Sequence, residues 1–458
     1  MSGLGFGMKK ASWLASASMV SLLLSATACG GSKGDAAGGG ETTTPAKDAT
    51  GTPIVTAKGQ KVSEKGHDKW QEAVQLFNRY EKEGWTKKHC SEAAKRFEKA
   101  ADAEGGNFAE AIYMVGASKE RCEGAAAAKS DYEKALGLNP KLCEPRVGLG
   151  MMHMDAGRTA QAESEFRRAL QNDPQCTEAY VNLAVIEGSK GGNQLQDALN
   201  NLRRALAIQS EYLPAFNEMA LLYLKQAERE SNVERLDLAE IVCRQAQLLN
   251  DSYAPIYNTW GLVKMRKGAI IEALRFFERA SKLDKDLFEA HMNFGEVTLS
   301  FRGYDDAKQA LVRATQLRPK NYEAHLALGT AYRGLKQYNQ AQKEFELAMK
   351  LDGARPEAYY NLGILHQDYM SGSVAEFEKA RQYFQQFLAK AGGQARYAAA
   401  VADVKQTCQA EVKRKGKKKT RIVRSSDCRP GRLQNIATAI GAMREAEKIQ
   451  GQAKGGKK

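Results

Sequence analysis

The feature that most constrains this chain is a pattern that returns every 34 residues through its middle. Each unit opens on a short cluster ending in a small residue, and an Ala, an aromatic or Leu, and a second Ala follow. Five of the seven steps between unit starts are 34 residues long, and the other two carry insertions. The starts fall near Ala109, Cys143, Thr177, Leu213, Ala254, Phe288, Tyr322 and Pro356. A period of this length predicts an array of stacked structural units.

Each unit has the apolar spacing of two helices packed as a hairpin. The chain has only 10 prolines among 458 residues, which favours helix. In one clear unit, Gly329 and Ala341 are small enough to let the two helices of the hairpin approach, and Phe345 is a large residue expected to fill the space between successive hairpins. Proline ends the second helix of three units, at Pro140, Pro174 and Pro319.

This pattern resembles the tetratricopeptide repeat, whose aromatic, Leu-Gly, Tyr, Ala, Phe, Ala and Pro positions recur with the same period. The resemblance covers roughly 280 residues in register. It implies an all-α, right-handed superhelical solenoid of about nine helical hairpins. We assign the solenoid to residues 67–390 and a capping helix to residues 391–412, because solenoids need their exposed apolar ends covered.

The N-terminal segment has the features of an export signal. Basic residues Lys9 and Lys10 precede a short apolar stretch that ends in small residues before Cys29. We therefore assign residues 1–28 to a lipoprotein signal peptide and residues 29–66 to a flexible tether. The segment is similar to the bacterial lipobox, which implies lipidation of Cys29. It departs from that motif at Ala26, where Leu is usual, and the alternative is an ordinary signal peptide cut near Ala28.

The resemblance to lipoproteins also implies a location. Gly30, and not Asp, follows Cys29, and under the usual sorting rule this implies the outer membrane. We therefore expect a lipid anchor in that membrane, with the repeats facing the periplasm.

Seven cysteines remain after Cys29, so at least one is unpaired within the chain. In an oxidising periplasm, three disulfides are possible: Cys90 with Cys122, Cys143 with Cys176, and Cys408 with Cys428. The opposing consideration is that packed helices lie roughly 10 Å apart, whereas a disulfide needs Cα atoms within about 7 Å. Cys243 fits a core position of its second helix.

The net charge of +14 is concentrated at the C-terminal end, where residues 411–458 hold fifteen Lys or Arg and four acids. We assign residues 413–458 to a basic tail. Its densest part is a candidate for binding anions such as lipid headgroups or peptidoglycan carboxylates. The alternative is a solvated tail, and nucleic acid does not fit the compartment. The candidate residues are Lys413, Arg414, Lys415, Lys417, Lys418, Lys419, Arg421 and Arg424.

Motifs for catalysis are missing from the sequence. It has no zinc-spaced Cys/His group, no phosphate-binding Gly loop and no serine-hydrolase elbow. His291 and His325 occupy the same place in adjacent units, where packing is favoured over a shared metal site. We expect a non-enzymatic protein without metal or cofactor.

Polar residues recur on the first helices, which line the concave face of a tetratricopeptide array. An amide both donates and accepts hydrogen bonds, so a row of Asn can hold an extended peptide of any sequence. The alternative is that Asn is a frequent filler before Leu-Gly. The candidate groove residues are Asn182, Asn217, Asn258, Asn293, Tyr360 and Asn361.

The whole layout is similar to the tetratricopeptide outer-membrane lipoprotein of the myxobacterial gliding-motility apparatus. The similarity lies in residues 88–100 and 201–223, and it implies a scaffold in an envelope-spanning complex. Two alternatives remain open. One is a pilotin-like lipoprotein that assists a secretin or type IV pilus component, and the other is a peptidoglycan-associated regulator of a cell-wall enzyme.

Overall fold

In the computed structural model, the structure describes residue 56 and residues 59–406 and 431–455. The chain divides into two compact units, which meet in sequence between Leu249 and Asn250. The described residues before this point are called the N-terminal unit and those after it the C-terminal unit. Within these ranges, no helix combines the length and the apolar character that a membrane span requires.

The N-terminal unit consists of five helical hairpins, and consecutive helices pack against each other. Its helices are α1 Glu64–Glu83, α2 Lys87–Ala103, α3 Ala109–Glu123, α4 Ala125–Leu138, α5 Cys143–Asp155, α6 Thr159–Asn172, α7 Thr177–Lys190, α8 Gln194–Ile208, α9 Leu213–Glu230 and α10 Glu234–Leu249.

The C-terminal unit adds four hairpins and two further helices. Its helices are α11 Ala254–Arg266, α12 Ile270–Leu283, α13 Phe288–Ser300, α14 Tyr304–Leu317, α15 Tyr322–Gly334, α16 Tyr338–Leu351, α17 Glu357–Ile364, α18 Val374–Ala391, α19 Ala398–Lys405 and α20 Arg432–Gly455. A π-helical turn, Leu365–Tyr369, continues α17. The all-α fold of about nine consecutive hairpins is confirmed.

The helix starts follow the sequence period closely, and α3, α5, α7, α9, α11, α13 and α15 begin at the predicted unit starts. The insertion at Gly191 and Gly192 forms a turn in which both residues have positive φ. The second insertion lengthens α9 and α10 to 18 and 16 residues, and only three residues separate them.

The first hairpin begins earlier than predicted, because Ser63 caps α1. Its side chain accepts a hydrogen bond from the Gly66 N–H at 3.0 Å, which satisfies a free donor of the first helical turn. Val62 is buried in the same cluster as Trp70. Residues 62–66, predicted as the end of a flexible tether, therefore belong to the first hairpin.

In most of the hairpins, the core depends on close contact between a small residue of the first helix and a large one of the second. Phe345 of α16 is fully buried against Gly329 of α15. A Cβ atom placed on Gly329 would lie 2.5 Å from Phe345 Cε1, which is too close for any side chain. Equivalent pairs are Gly150 with Phe166, Gly261 with Phe277, Gly295 with Leu311, and Gly363 with Phe384.

The segment predicted as a basic tail is in part folded. Helix α20 packs on α18 and α19, and Ile436 and Ile440 are buried in the cluster that ends the C-terminal unit. The Gly431 N–H donates to the Gln406 carbonyl at 2.7 Å, so the end of α19 lies next to the beginning of α20 in space. The two helices thus form a tenth, irregular hairpin whose connection is residues 407–430. Of the predicted cap at 391–412, the described part is a 3₁₀ turn and α19.

Replacing Gly329 with Ala is expected to destabilise the protein by about 1–3 kcal/mol, because the added methyl group overpacks the contact with Phe345. The matched control is Gly441→Ala in α20, where an added Cβ atom has no neighbour within 4 Å. This substitution should stabilise the protein by up to about 1 kcal/mol, because Ala has the higher helix propensity. Thermal unfolding followed by circular dichroism compares the two. Equal midpoints for both variants would contradict the packing argument.

Candidate protein-binding surface

The first helices of neighbouring hairpins contact each other and form one extended surface in each unit. In the N-terminal unit α5 contacts α7 and α7 contacts α9. In the C-terminal unit α11 contacts α13, α13 contacts α15, and α15 contacts α17. We call this surface the first-helix face.

The predicted Asn residues occupy two different registers of this face. Asn182, Asn293 and Asn361 lie two residues before the small residue that closes their cluster, whereas Asn217 and Asn258 lie three before it. One residue along a helix turns the side chain by about 100°. The five amides therefore do not form one straight row. Asn217 and Asn258 are the more buried of the set.

Most of these amides are already bonded within the fold. Asn293 Nδ2 donates to Asn258 Oδ1 at 2.8 Å and joins α13 to α11. Asn182 and Asn361 each donate to a carbonyl one turn earlier in their own helix, at 2.9 and 3.0 Å. Asn217 Nδ2 lies 3.4 Å from a carboxylate oxygen of Glu218. The structure brings Asn258 and Asn293 together.

Tyr360, also predicted in the groove, contacts the end of the chain. Its hydroxyl donates to Asp403 of α19 at 2.8 Å, and its ring lies 5.0 Å from that of Phe387. Tyr360 thus holds α19 against the last hairpin, a contact that the sequence pattern did not indicate.

Glutamate recurs at the second position of the repeat units, and sequence reasoning overlooked it. In the C-terminal unit arginine pairs with these glutamates. Arg318 lies 2.7 Å from Glu289, and its guanidinium is 4.0 Å from the ring centroid of Phe288. Arg355 stacks on the ring of Tyr322 at 3.9 Å. It is also ion-paired to Glu323 and Glu357, the other two glutamates at the second repeat position in the C-terminal unit.

The equivalent glutamates of the N-terminal unit have a different environment. Among the described residues, no Lys or Arg lies within 4.0 Å of Glu144 or Glu178. Burial, and then the nearby carboxylates Glu178, Glu110 and Asp173, raise the pKa of Glu144 to about 7. Burial also raises the pKa of Glu178. A cation brought to this surface would favour the ionised carboxylates.

Two of the three predicted disulfides are present in the N-terminal unit. Cys90 of α2 is bonded to Cys122 of α3, with Cα atoms 6.2 Å apart. Cys143, at the start of α5, is bonded to Cys176, which precedes α7, with Cα atoms 5.7 Å apart. The spacing of packed helices did not prevent either bond, because all four residues lie near helix ends. Each disulfide joins neighbouring hairpins.

The remaining described candidates serve packing. Cys243 is a free thiol with no exposed surface, and burial raises its pKa. His325 bridges Glu344 at 2.7 Å and the Pro319 carbonyl at 2.9 Å. His291 lies 3.0 Å from the Lys285 carbonyl. His325 thus bonds to its own hairpin and to the turn before it, and His291 bonds to the turn before its helix, as the packing interpretation predicts.

Several predicted residues lie outside the described residues, namely Cys29, Cys408, Cys428 and the anion-binding candidates from Lys413 to Arg424. Their assignments remain predictions.

The family profile of the tetratricopeptide repeat matches residues 302–363, which include all of α14, α15 and α16 and most of α17. The chain therefore contains a tetratricopeptide-repeat domain. Such proteins are usually non-enzymatic scaffolds for protein–protein interaction, and the exposed first-helix faces are suited to that use.

Three proteins illustrate the similarity of this tetratricopeptide-repeat chain to known ones. A type IV pilus assembly protein, PilF, of Pseudomonas aeruginosa is 24% identical over 163 residues, 36% of this chain and 62% of its own length. The human protein O-mannosyl-transferase TMTC1 is 27% identical over 155 residues, 34% of this chain and 17% of its own length. A tetratricopeptide-repeat structure from Thermus thermophilus is 26% identical, covers 42% of this chain and all of its own, and has a TM-score of 0.38.

Reducing the disulfides is expected to lower the thermal midpoint of the N-terminal unit. Each closes a loop of 32 or 33 residues, which by chain entropy stabilises by about 3–4 kcal/mol. Alkylation of the denatured, unreduced protein, followed by mass spectrometry, should label Cys243 and leave Cys90, Cys122, Cys143 and Cys176 unlabelled. A Cys243→Ala variant is the control for the midpoint, and alkylation of all five thiols would refute the assignment.

Glu144 is expected to make stability depend on pH. Because its pKa is raised from 4.5 to about 7 in the fold, the folded protein holds a proton that the unfolded chain releases. The free energy of unfolding should therefore fall as pH rises from 4.5 to 7. Glu144→Gln should remove the contribution of Glu144 to this fall, so its advantage in thermal midpoint over the native chain grows across that range. Glu133→Gln, an exposed acid of α4, is the control, and parallel pH profiles for all three proteins would contradict the assignment.

Proposed function

We propose that this protein is a non-enzymatic outer-membrane lipoprotein that binds other envelope proteins on its repeats, facing the periplasm. The observation that carries the proposal is the first-helix face, which is continuous over successive hairpins within each unit. A surface of this kind offers many side chains to an extended partner without any catalytic group. The lipid anchor at Cys29 rests on the sequence of the N-terminal segment.

The disulfides support the proposed compartment. Bonds such as Cys90–Cys122 and Cys143–Cys176 form and persist in oxidising environments, including the bacterial periplasm, and are rare in the cytosol. Two of them in neighbouring hairpins favour an exported protein over a cytosolic one.

The machine that we propose for this scaffold is a gliding-motility complex that spans the envelope. Support for it is the layout of signal, tether and long array, together with residues 88–100 and 201–223. In the structure these segments cover most of α2, the second half of α8 and the first part of α9, all in the N-terminal unit.

The second candidate is a pilotin-like lipoprotein for a secretin or type IV pilus component. The similarity to a protein named for type IV pilus assembly, 24% identical over 163 residues, favours it. The described residues form nine regular hairpins, which is more than such pilotins usually carry.

Affinity purification of the native protein after gentle crosslinking, beside a Cys29→Ala variant, tests the proposal. Recovery of outer-membrane and periplasmic motility proteins by the native chain, lost or reduced in the variant, is the expected result. Recovery of pilus proteins instead, with loss of secretin multimers when the protein is depleted, would favour the second candidate.

Some outcomes would reject both candidates. If the native chain and the Cys29→Ala variant are equally soluble and recover no envelope protein, neither the anchor nor the scaffold stands. A thiol-labelling control on the same extracts checks that the disulfides, and hence the fold, are intact in the variant.

A further inference from the structure

The Cys143–Cys176 disulfide differs from the other disulfide of the N-terminal unit in having a carboxylate beside it. Glu178, in the first turn of α7, places Oε2 at 3.9 Å from Cys143 Sγ. The two sulfurs and a carboxylate oxygen of Glu178 all lie within 4.8 Å of one another. Both cysteines are buried, and Glu178 is half-buried. Among the described residues, no other three His, Cys, Asp or Glu side chains gather so closely.

The Glu178 carboxylate has few partners while the disulfide is intact. No Lys or Arg of the described residues lies within 4.0 Å of it. Apart from its own backbone N–H, its described neighbour is Cys143 Sγ, and a sulfur in a disulfide has no proton to donate. A carboxylate withdrawn from water is normally paired with a cation, bonded to donors or bound to a metal. The oxidised form leaves this requirement largely unmet.

We propose that Cys143, Cys176 and Glu178 bind a zinc ion when the disulfide between the cysteines is reduced. Two thiolates and one carboxylate are ligands that zinc accepts, and water completes the four ligands of a tetrahedral site. The two thiolates balance the charge of the ion. They lie at the N-terminal ends of α5 and α7, where the helix favours the thiolate form of cysteine.

The positions of the three residues suit the size of this ion. Zinc holds sulfur at about 2.3 Å and carboxylate oxygen at about 2.0–2.2 Å, so a tetrahedron separates two sulfurs by about 3.8 Å and a sulfur from an oxygen by about 3.5 Å. The distance of 3.9 Å from Cys143 Sγ to Glu178 Oε2 is already close to the second value. The sulfurs reach the first value by rotation of their side chains, because the Cα atoms are only 5.7 Å apart.

Reduction precedes metal binding, and a dithiol is the reductant. The dithiol transfers two electrons and two protons to the Cys143–Cys176 bond, which becomes two thiols, and the dithiol itself becomes a disulfide. Zinc then replaces the two thiol protons, which are released to solvent. The disulfide and the zinc site are thus alternative states of one cysteine pair. This inference goes beyond the scaffold function and does not depend on it.

The Cys90–Cys122 pair supplies a control within the same chain. Its Cα atoms are 6.2 Å apart, a similar spacing. Among the described residues, no carboxylate, imidazole or third thiol gathers with these two sulfurs, and Cys122 Sγ lies 3.1 Å from the Thr86 carbonyl oxygen. Two sulfurs without a third protein ligand should hold zinc more weakly.

The test uses the full chain with three further thiols removed, by Cys29→Ser, Cys408→Ser and Cys428→Ser. The site variant also carries Cys90→Ser and Cys122→Ser, so it keeps the proposed ligands. The pair variant instead carries Cys143→Ser and Cys176→Ser, so it keeps the control pair. Both are reduced with dithiothreitol, separated from it in the absence of oxygen, and titrated with zinc in competition with a coloured chelator.

The reduced site variant should bind one zinc ion per chain, at least about tenfold more tightly than the reduced pair variant. Loss of an outer-shell partner alone costs a metal site about 10–100-fold in affinity, so adding Glu178→Gln to the site variant should weaken zinc binding by at least about tenfold. Adding Glu133→Gln, an exposed acid of α4, should leave the affinity unchanged. The site variant with its disulfide re-formed should lose the zinc site.

Circular dichroism separates a failure to bind from a failure to fold. The reduced site variant should be helical, or become helical on addition of zinc, and zinc should raise its thermal midpoint. Equal zinc affinity of the two reduced variants overturns the proposal. So does an unchanged affinity with Glu178→Gln, equal binding by the reduced and oxidised site variant, or a reduced site variant that stays unfolded in zinc.

Discussion

The contact between a helix backbone and a large side chain, seen in Gly329 against Phe345, is repeated along most of this protein. Only a residue without a side chain, or nearly so, allows the second helix to come this close. The closeness then buries the ring completely and fixes the angle between the two helices of the hairpin. Because each hairpin touches only its neighbours, stability in such an array is approximately a sum of local terms. The N-terminal unit adds covalent bonds between hairpins to that sum, through Cys90–Cys122 and Cys143–Cys176.

The same sequence position is used for different purposes in the two units. In the C-terminal unit, Glu289 is neutralised by an arginine that also covers an aromatic ring, so the glutamate belongs to the structure. In the N-terminal unit, Glu144 and Glu178 lack such a cation among the described residues, and their pKa values are raised. Protons and basic groups would compete for these two carboxylates. These two carboxylates therefore remain protonated to a higher pH than exposed acids do, and the charge of the surface around them changes with pH and with any bound cation.

The fold was accessible from the sequence because one local rule is repeated. The repeat pattern located the first residue of every odd-numbered helix from α3 to α15, and the cysteine positions indicated the two disulfides of the N-terminal unit. Side-chain partners were less accessible. The Asn residues were treated as one row, although a shift of one residue between Asn258 and Asn293 separates their registers. Tyr360 of α17 bonds to Asp403, two helices further along the chain, and no periodic pattern specifies such a contact.

The backbone hydrogen bond between Gly431 and Gln406 changes how proteases can remove the basic segment between these two residues. A free tail is shortened from its end, one residue at a time, by carboxypeptidases. Residues 407–430 instead join two helices, and removing them from the C-terminus would first require unwinding α20, whose Ile436 and Ile440 are buried. An endopeptidase that cuts once among their nine Lys and Arg would leave both fragments attached to the folded unit. Trypsin-like nicking of this protein would therefore be visible after denaturation and hidden before it.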